Sequence, residues 1–506
     1  MNKKSLIGTG VIILLINIFG KFVNFFKEIL LANKFGTNVE ISAYIMAITV
    51  PVVVTGILAS AINNTLIPIL TEIKENENKN SMFSFFNLII IILLMIIVPM
   101  TVLMIINPNI FIHIIAPGFK GKTLILTSEL LRISAINTLL ITVIYAYLAL
   151  LNVEGIYTIT ALINFVLNIP MILYLLMFNN INIKGISISN VLGVVLQFLL
   201  VMIYLKKIHY IKKVDYKKNN RHLKELINLS SQAFLINGVY QINTMVDRMQ
   251  ASKLIEGSVA ALEYSNKVIN IAMGLVTTAI LTIIYPILAK VSLKDDKNEF
   301  FNYIYKSIDL VLFVMIPFSI GLMFFNKQLI SIFYGRGEFD KNAIIMTANI
   351  LIFASIGVPF ISIKEILFRV FYSIKAHKKA TINSVIGVSV NIILNIILSN
   401  IMGAEGLAFA TSIAAIVTTL LLIIQFKNIY KDFNIRYMLI SFLQILSVSI
   451  ISISTGYIFF MNTFIMNMFF NLLFSILLSI IIYFITMLFV WRKKFNQVLK
   501  IIKKNS

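Results

Sequence analysis

The sequence predicts an all-α polytopic membrane protein, with about 14 transmembrane helices arranged as two parallel six-helix repeats plus two C-terminal helices. Three observations predict it. Hydrophobic residues make up 59% of the 506, and the mean hydropathy of +0.93 is well above a soluble globular average. Apolar runs of about 18 or more residues recur, long enough to cross roughly 30 Å of hydrocarbon. Finally, the chain repeats itself. FIHIIAPGFKGKTLILTSELLRIS, from Phe111 to Ser134, is echoed by ISIFYGRGEFDKNAIIMTANILIFAS, from Ile330 to Ser355. Phe119 falls on Phe339, Thr127 on Thr347 and Leu131 on Leu351. Upstream, TLIPIL ending at Leu70 matches TIIYPIL ending at Leu288; downstream, IKGISIS around Gly185 matches AEGLAFA around Gly406. Two similar halves that each thread a bilayer several times are the usual build of a secondary transporter, with the substrate between them.

In order, the first half holds six spans: roughly Leu6–Leu31, Ser42–Leu70, Met82–Ile106, Thr123–Leu151, Tyr157–Met177 and Gly185–Leu205. The second holds Leu226–Lys253, Ser258–Ala289, Phe301–Phe325, Asn342–Ile374, Thr381–Ile401 and Gly406–Phe426. Spans 13 and 14 are Ile435–Phe460 and Phe464–Trp491. Several exceed the minimum length and so tilt or extend into water. The first apolar stretch lacks a small-residue cleavage site and belongs to the repeat, so it reads as a retained helix. Domains are expected at 1–224, a six-helix lobe with a basic linker, at 225–430, a second six-helix lobe, and at 431–506, two further helices and a basic tail. Length alone would suggest about three soluble domains, but here it divides better by helices.

Orientation follows from the positive charges. The loop between spans 6 and 7 carries Lys206, Lys207, Lys212, Lys213, Lys217, Lys218, Arg221 and Lys224, and the tail carries Arg492, Lys493, Lys494, Lys500, Lys503 and Lys504. Opposite loops are poor in Lys and Arg, the richest running from Lys327 to Lys341. Both termini are therefore placed in the cytoplasm, and an even number of spans per half makes the repeats parallel. The net charge of +22 sits mostly in these cytoplasmic segments, where topology and anionic lipid explain it better than nucleic acid does.

Several chemistries are disfavoured. There are no cysteines, which removes disulfides and thiolate metal sites. His113, His209, His222 and His377 do not cluster, and no Gly-rich phosphate loop is present. No arrangement reads as catalytic. Heavy use of Ile, Asn and Lys is what an AT-rich coding bias produces.

Charges inside the spans are more informative, because they are costly in hydrocarbon and usually face a cavity or a partner. Span 1 carries Lys21, Lys27 and Glu28; the two lysines lie within about 120° around a helix, so one broad face presents both. Glu129 and Arg132, Glu263 and Lys267, and Lys306 and Asp309 have the spacing of intrahelical ion pairs, which is their plainer reading. Lys364, near a helix end beside Glu365 and Arg369, reads as a snorkelling side chain, and so, more weakly, does Lys27. Span 7 holds Asp247 and Arg248. Lys21 has no carboxylate at i±3 or i±4 and sits well inside its span. A cationic cavity suits an anionic substrate, because ammonium groups offset the desolvation of phosphate.

At these residues the chain resembles a known family. GKFVNFFKEILLANKFG (Gly20–Gly36), the Pro51 helix and IPIL are similar to the opening of the MurJ (MviN) lipid II flippases. QINTMVDRMQASKLIEGSVAALEYSNKVINIAMG (Gln241–Gly274), then YPILAK, resembles their seventh and eighth helices. FYGRGEFD (Phe333–Asp340) resembles an RGxFD-type loop, and GAEGLAFATSIAA (Gly403–Ala415) a twelfth helix. The wider group includes MATE drug exporters and Wzx-type oligosaccharide flippases; the two additional helices and the helix 7–8 signature favour MurJ within it. The resemblance implies a non-enzymatic protein of the bacterial cytoplasmic membrane. It would carry undecaprenyl-diphosphate-linked disaccharide-pentapeptide (lipid II) from the inner to the outer leaflet, for peptidoglycan synthesis. Helices 13 and 14 would form a groove for the lipid tail. Partners would be lipid II, membrane lipids and cell-wall synthesis proteins.

The cavity arginines of the family fall on Lys21, Lys27 and Lys267, which keep charge but not bidentate geometry. Where many members open helix 2 with an acidic residue this chain has Ser42, and where they have an arginine pair it has Thr55 and Gly56. A family sodium site would fall on Asp247, Asn391, Asn395 and Thr411, with Asn395 standing where a carboxylate is expected. All four supply oxygen. The plainer reading is that Asp247 pairs with a cavity lysine and the asparagines bond across helices. Three alternatives stay open. One is a flippase for another undecaprenyl-diphosphate oligosaccharide. A second is a multidrug antiporter, against which the lysines at 21, 27 and 267 argue. The third is a scaffold for the cell-wall machinery, contacted through the basic 206–224 loop.

Overall fold

The computed structural model describes residues 3–211, 220–293, 296–463 and 467–491. The basic residues Lys212, Lys213, Lys217 and Lys218 and the tail from Arg492 to Lys504 lie outside the described residues, as does the side chain of Arg221. All regular structure among the described residues is helical. In chain order it runs α1 (Lys3–Phe35), α2 (Val39–Ala61), a π-helical turn (Ile62–Leu66), α3 (Ile67–Asn76), α4 (Lys79–Ile106), α5 (Pro108–Ile115), α6 (Gly121–Ser134), α7 (Ile136–Val153), α8 (Thr158–Met177) and α9 (Ile183–Lys207). Then come α10 (Asn220–Ala251), α11 (Ser258–Val291), α12 (Lys297–Phe324), α13 (Asn326–Tyr334), α14 (Lys341–Ser373), α15 (His377–Met402), α16 (Ala404–Ile429), α17 (Ile435–Asn462) and α18 (Met468–Val490).

Among the described residues, 11 helical stretches are long and apolar enough to cross a bilayer, counting α6 with α7 as one. The chain is therefore an all-α polytopic membrane protein. The three remaining spans expected from sequence coincide with α1, α10 and α11, helices of 33, 32 and 34 residues.

Asparagine has a structural use here. Asn38, Asn78, Asn182, Asn434 and Asn467 each accept a backbone N–H from the first turn of the following helix, and Asp340 does the same for α14. Those caps satisfy donors that would otherwise be orphaned at a helix start. Two spans that read as continuous are divided. Span 2 is α2, the π-helical turn and α3; Pro68 lacks the N–H that the carbonyl of Asn64 would accept, and Asn64 lies inside that turn. Span 4 breaks at Ala135 into α6 and α7. Two short helices were not expected as elements: α5, opened by Pro108, and α13, each following a long helix with an internal proline (Pro99, Pro317). Both are too short for a spanning pattern to reveal them.

The helices form two compact units: Met1–Ala260 with Gly337–Phe339, and Ala261–Arg336 with Asp340–Ser506. In the first, α1 packs on α8, α8 on α9, and α2 on α6, α7 and α10. Its core gathers Phe83, Phe86 and Tyr147 around the Tyr210 ring, whose hydroxyl donates to Asn87. Glu154 ties α3 and α4 to the end of α7, 3.2 Å from the Lys74 amine and 2.6 Å from that of Lys79. α10, placed by sequence in the second lobe, packs against α2 and falls in this first unit. In the second unit α14 packs on α16 and α12, α15 on α16, α12 on α17 and α17 on α18. Small residues allow close approach: the Gly357 amide donates to Ser412 Oγ at 2.9 Å, and Gly456 leaves no room for a Cβ beside Ser475 and Ser479.

Candidate functional site

Within the first unit, α1 presents the two expected lysines in different states. Lys21 is half-buried and makes no ion pair among the described residues. Lys27 is held 3.0 Å from the carboxylate of its neighbour Glu28, which is 6% exposed. Consecutive helical residues do not usually face each other, so this pair could not be read from spacing. Lys27 is thus neither a bare cavity cation nor a snorkelling chain. In α10, Arg248 donates to Thr49 Oγ1 on α2 at 2.7 Å, while its neighbour Asp247 is half-buried.

Where the resemblance expects an arginine pair, Thr55 turns its hydroxyl back to the Pro51 carbonyl at 2.7 Å. A Cβ at Gly56 would meet the Gln241 amide nitrogen at 2.5 Å, so Gln241 of α10 fills the space a longer residue would need. Ser42 is buried and hydrogen bonds to the Asn38 carbonyl at 3.1 Å; an acidic residue does stand in the first turn of α2, at Glu40.

Within the second unit, Lys267 pairs with Glu263 at 3.2 Å in the i, i+4 geometry. The similar pairing expected in α6 is replaced: Glu129 bonds Lys184 of α9 at 2.8 Å rather than Arg132. Asp309, 4% exposed, accepts from the Tyr437 hydroxyl at 2.9 Å, joining α12 to α17. No sequence spacing pointed to that contact, because its partners lie on different helices.

Three of the four sodium candidates come together. The Asn391 amide donates to Thr411 Oγ1 at 3.1 Å, and the Asn395 amide donates to Asn391 Oδ1 at 2.8 Å. Asn391 and Asn395 are buried, 2% and 0% exposed. Asn391 therefore bonds across from α15 to Thr411 on α16, while Asn395 bonds to Asn391 within α15. Asp247 belongs to the first unit and these three to the second. Among the described residues no group of three His, Cys, Asp or Glu side chains could hold a metal.

A polytopic helical protein of this build has the fold of MATE-type transporters. An inward-facing multidrug resistance MATE family transporter of the MOP superfamily aligns over 83% of this chain and 99% of its own, with a TM-score of 0.69 at 14% identity. A solved lipid II flippase MurJ, in an inward closed conformation, aligns over 96% of this chain and 100% of its own, with a TM-score of 0.81 at 26% identity. The family model described as lipid II flippase MurJ matches residues 31–488. The lipid II flippase MurJ of Thermosipho africanus is 27% identical over 435 residues, 85% of this chain and 88% of that protein. The probable lipid II flippase MurJ of Buchnera aphidicola subsp. Baizongia pistaciae is 27% identical over 426 residues, covering 83% and 82%. The chain belongs to the MurJ lipid II flippase family.

Proposed function

We propose that this chain moves lipid II, an undecaprenyl-diphosphate-linked disaccharide-pentapeptide, from the inner to the outer leaflet of a bacterial cytoplasmic membrane. The observation that carries the reading is the match to a solved lipid II flippase along 96% of the chain. Lys21 gives it a chemical basis. An ammonium group well inside a span, with no ion pair among the described residues, is suited to a diphosphate that has lost its water. Lys27 and Lys267 complete the proposed substrate contacts. Each already has a carboxylate partner, so each can exchange that partner for phosphate as the substrate arrives and leaves. Alternating access needs such reversible pairing more than it needs tight binding.

The remaining architecture is proposed with it. There are 14 spans with both termini cytoplasmic. Parallel repeats divide the chain at 1–224 and 225–430, with 431–506 added for the lipid tail. In both halves a long proline-containing helix, a short helix and a second long helical stretch (α6 with α7, and α14) follow one another, as a repeat requires. Coupling to sodium through Asp247, Asn391, Asn395 and Thr411, and contact with cell-wall synthesis proteins, belong to the same reading. Rescue of a strain depleted of its own lipid II flippase tests it; failure at normal membrane levels of the protein would overturn it. The helix 2 positions favour one second reading, a different undecaprenyl-diphosphate oligosaccharide, since Thr55 and Gly56 supply no cation for a head group. Rescue of an oligosaccharide-flippase mutant, but not of the lipid II strain, would select it.

A further inference from the structure

In the first unit an open cavity of about 410 Å³ lies between α1 and α8. Phe22, Val23 and Phe26 line it from α1, and Phe165, Ile169 and Leu173 from α8. No polar side chain lines it. At one end the rings of Phe19 and Phe165 meet with centroids 5.6 Å apart. Phe22, Phe26 and Leu173 remain 55%, 45% and 48% exposed although α1 and α8 pack together. An apolar slot with no hydrogen-bonding group, set between two spans, accepts a hydrocarbon chain and nothing more polar.

We infer that this slot holds part of the polyprenyl tail of the transported lipid while its diphosphate is at Lys21. The inference rests on the lipid-linked reading above. It adds a tail contact in the first unit to the α17–α18 groove that the family resemblance implies. Two features choose a polyprenyl diphosphate over an ordinary phospholipid. Lys21 precedes Phe22, which lines the slot, and lies about 100° from it around the helix, within reach of a lysine stem. Lys21 also stands about 21 Å before the end of α1 at Phe35, at 1.5 Å per residue. A resting phospholipid keeps its phosphate at the membrane surface, whereas a lipid being carried across brings its diphosphate to that depth. The branched methyl groups of isoprene units pack well on the Phe22, Phe26 and Phe165 rings, so the contact gains dispersion energy along the chain.

Purified full-length protein in liposomes, photolabelled with undecaprenyl diphosphate carrying a photoactivatable isoprene unit, tests this. The probe has no sugar or peptide, so its result does not depend on which head group is carried. Mapped adducts are expected on residues 22–26 and 165–173, competed by unlabelled undecaprenyl diphosphate but not by phosphatidylglycerol. Filling the slot with Ile169→Trp should lower that labelling about tenfold. The milder Leu173→Phe, which tests the same space if the tryptophan misfolds, should lower it by about threefold. Equal competition by phosphatidylglycerol would reduce the slot to ordinary lipid contact and overturn the inference. Adducts confined to 435–490 would also overturn it, leaving the lipid-linked reading intact. Absence of saturable labelling anywhere would overturn both.

Discussion

Lys21 and Lys267 carry the same charge into different surroundings, and that difference sets what each substitution should do. Lys21 has no ion pair among the described residues, so Lys21→Ala removes attraction for the substrate without exposing a buried carboxylate. We expect loss of function at normal membrane levels, with Lys21→Arg retaining more activity than Lys21→Gln. Lys267→Ala should lose function by a smaller factor, because its charge is already offset by Glu263 at 3.2 Å. Complementation at matched expression measures both; full activity of both alanine variants would remove the electrostatic case for an anionic substrate. Lys27 is a poorer probe. Its alanine variant takes a partner from buried Glu28, a destabilisation of about 1–3 kcal/mol that confounds transport with folding. The polar chain Asn395–Asn391–Thr411 gives a second prediction. If it binds sodium together with Asp247, Asp247→Asn should abolish sodium-dependent transport, and Asn395→Asp, which adds a carboxylate, should strengthen it. Thr411→Val should also destabilise the fold by about 1 kcal/mol whether or not sodium binds, since the Asn391 amide loses its acceptor. Equal transport in sodium-containing and sodium-free liposomes at fixed pH and potential would sink the sodium site. These residues were all visible in the sequence, because charges and asparagines stand out in apolar helices. Their partners were not: Glu28 is the chain neighbour of Lys27, and Lys184 lies on another helix from Glu129.

α17 and α18 show how element packing is encoded. The buried face of α18 places Asn471, Ser475, Ser479, Tyr483 and Met487 at every fourth residue, and large apolar residues on other faces stay exposed. Small polar side chains let two membrane helices approach closely, with their hydroxyls turned back to the preceding turn. Gly456 faces that seam, where a Cβ would meet the Ser475 carbonyl oxygen at 2.6 Å. Gly456→Leu should therefore push the pair apart, lower stability by about 1–3 kcal/mol and impair transport. A thermal shift in detergent beside a transport assay checks it; unchanged values for both would show that the pair has room to spare. Tyr483 donates to the Phe313 carbonyl at 2.7 Å and Trp491 to Gln444 at 3.0 Å, so α18 is fixed to α12 and α17 at several points. Helix existence was legible here from apolar length alone. Helix interruption was not: the break at Ala135 has no proline or glycine beside it, and α5 and α13 are shorter than any spanning pattern.

At the scale of the whole molecule, the repeat read from the sequence rests on a fixed register, with Phe119 falling on Phe339, Thr127 on Thr347 and Leu131 on Leu351. The grouping of helices was less so: α10 falls in the first compact unit through its packing on α2, which span order does not reveal. Orientation is the prediction that belongs to this scale. Its physical basis is the concentration of Lys and Arg in segments expected to lie together on the cytoplasmic side, where short positive loops are retained. Lys206, Lys207 and Lys224 flank one such segment, and the tail beyond Trp491 carries six more positive residues. The chain contains no cysteine, so a single introduced thiol reports its own side of the membrane without background. A cysteine between residues 206 and 224, or after residue 495, should resist a membrane-impermeant maleimide added to intact cells. One at Glu338, in the segment between α13 and α14, should react. Labelling at both of the first two sites would invert the orientation. Labelling at one but not the other would make the number of spans between them odd. That outcome would exclude the proposed arrangement of six spans in the second half followed by two more.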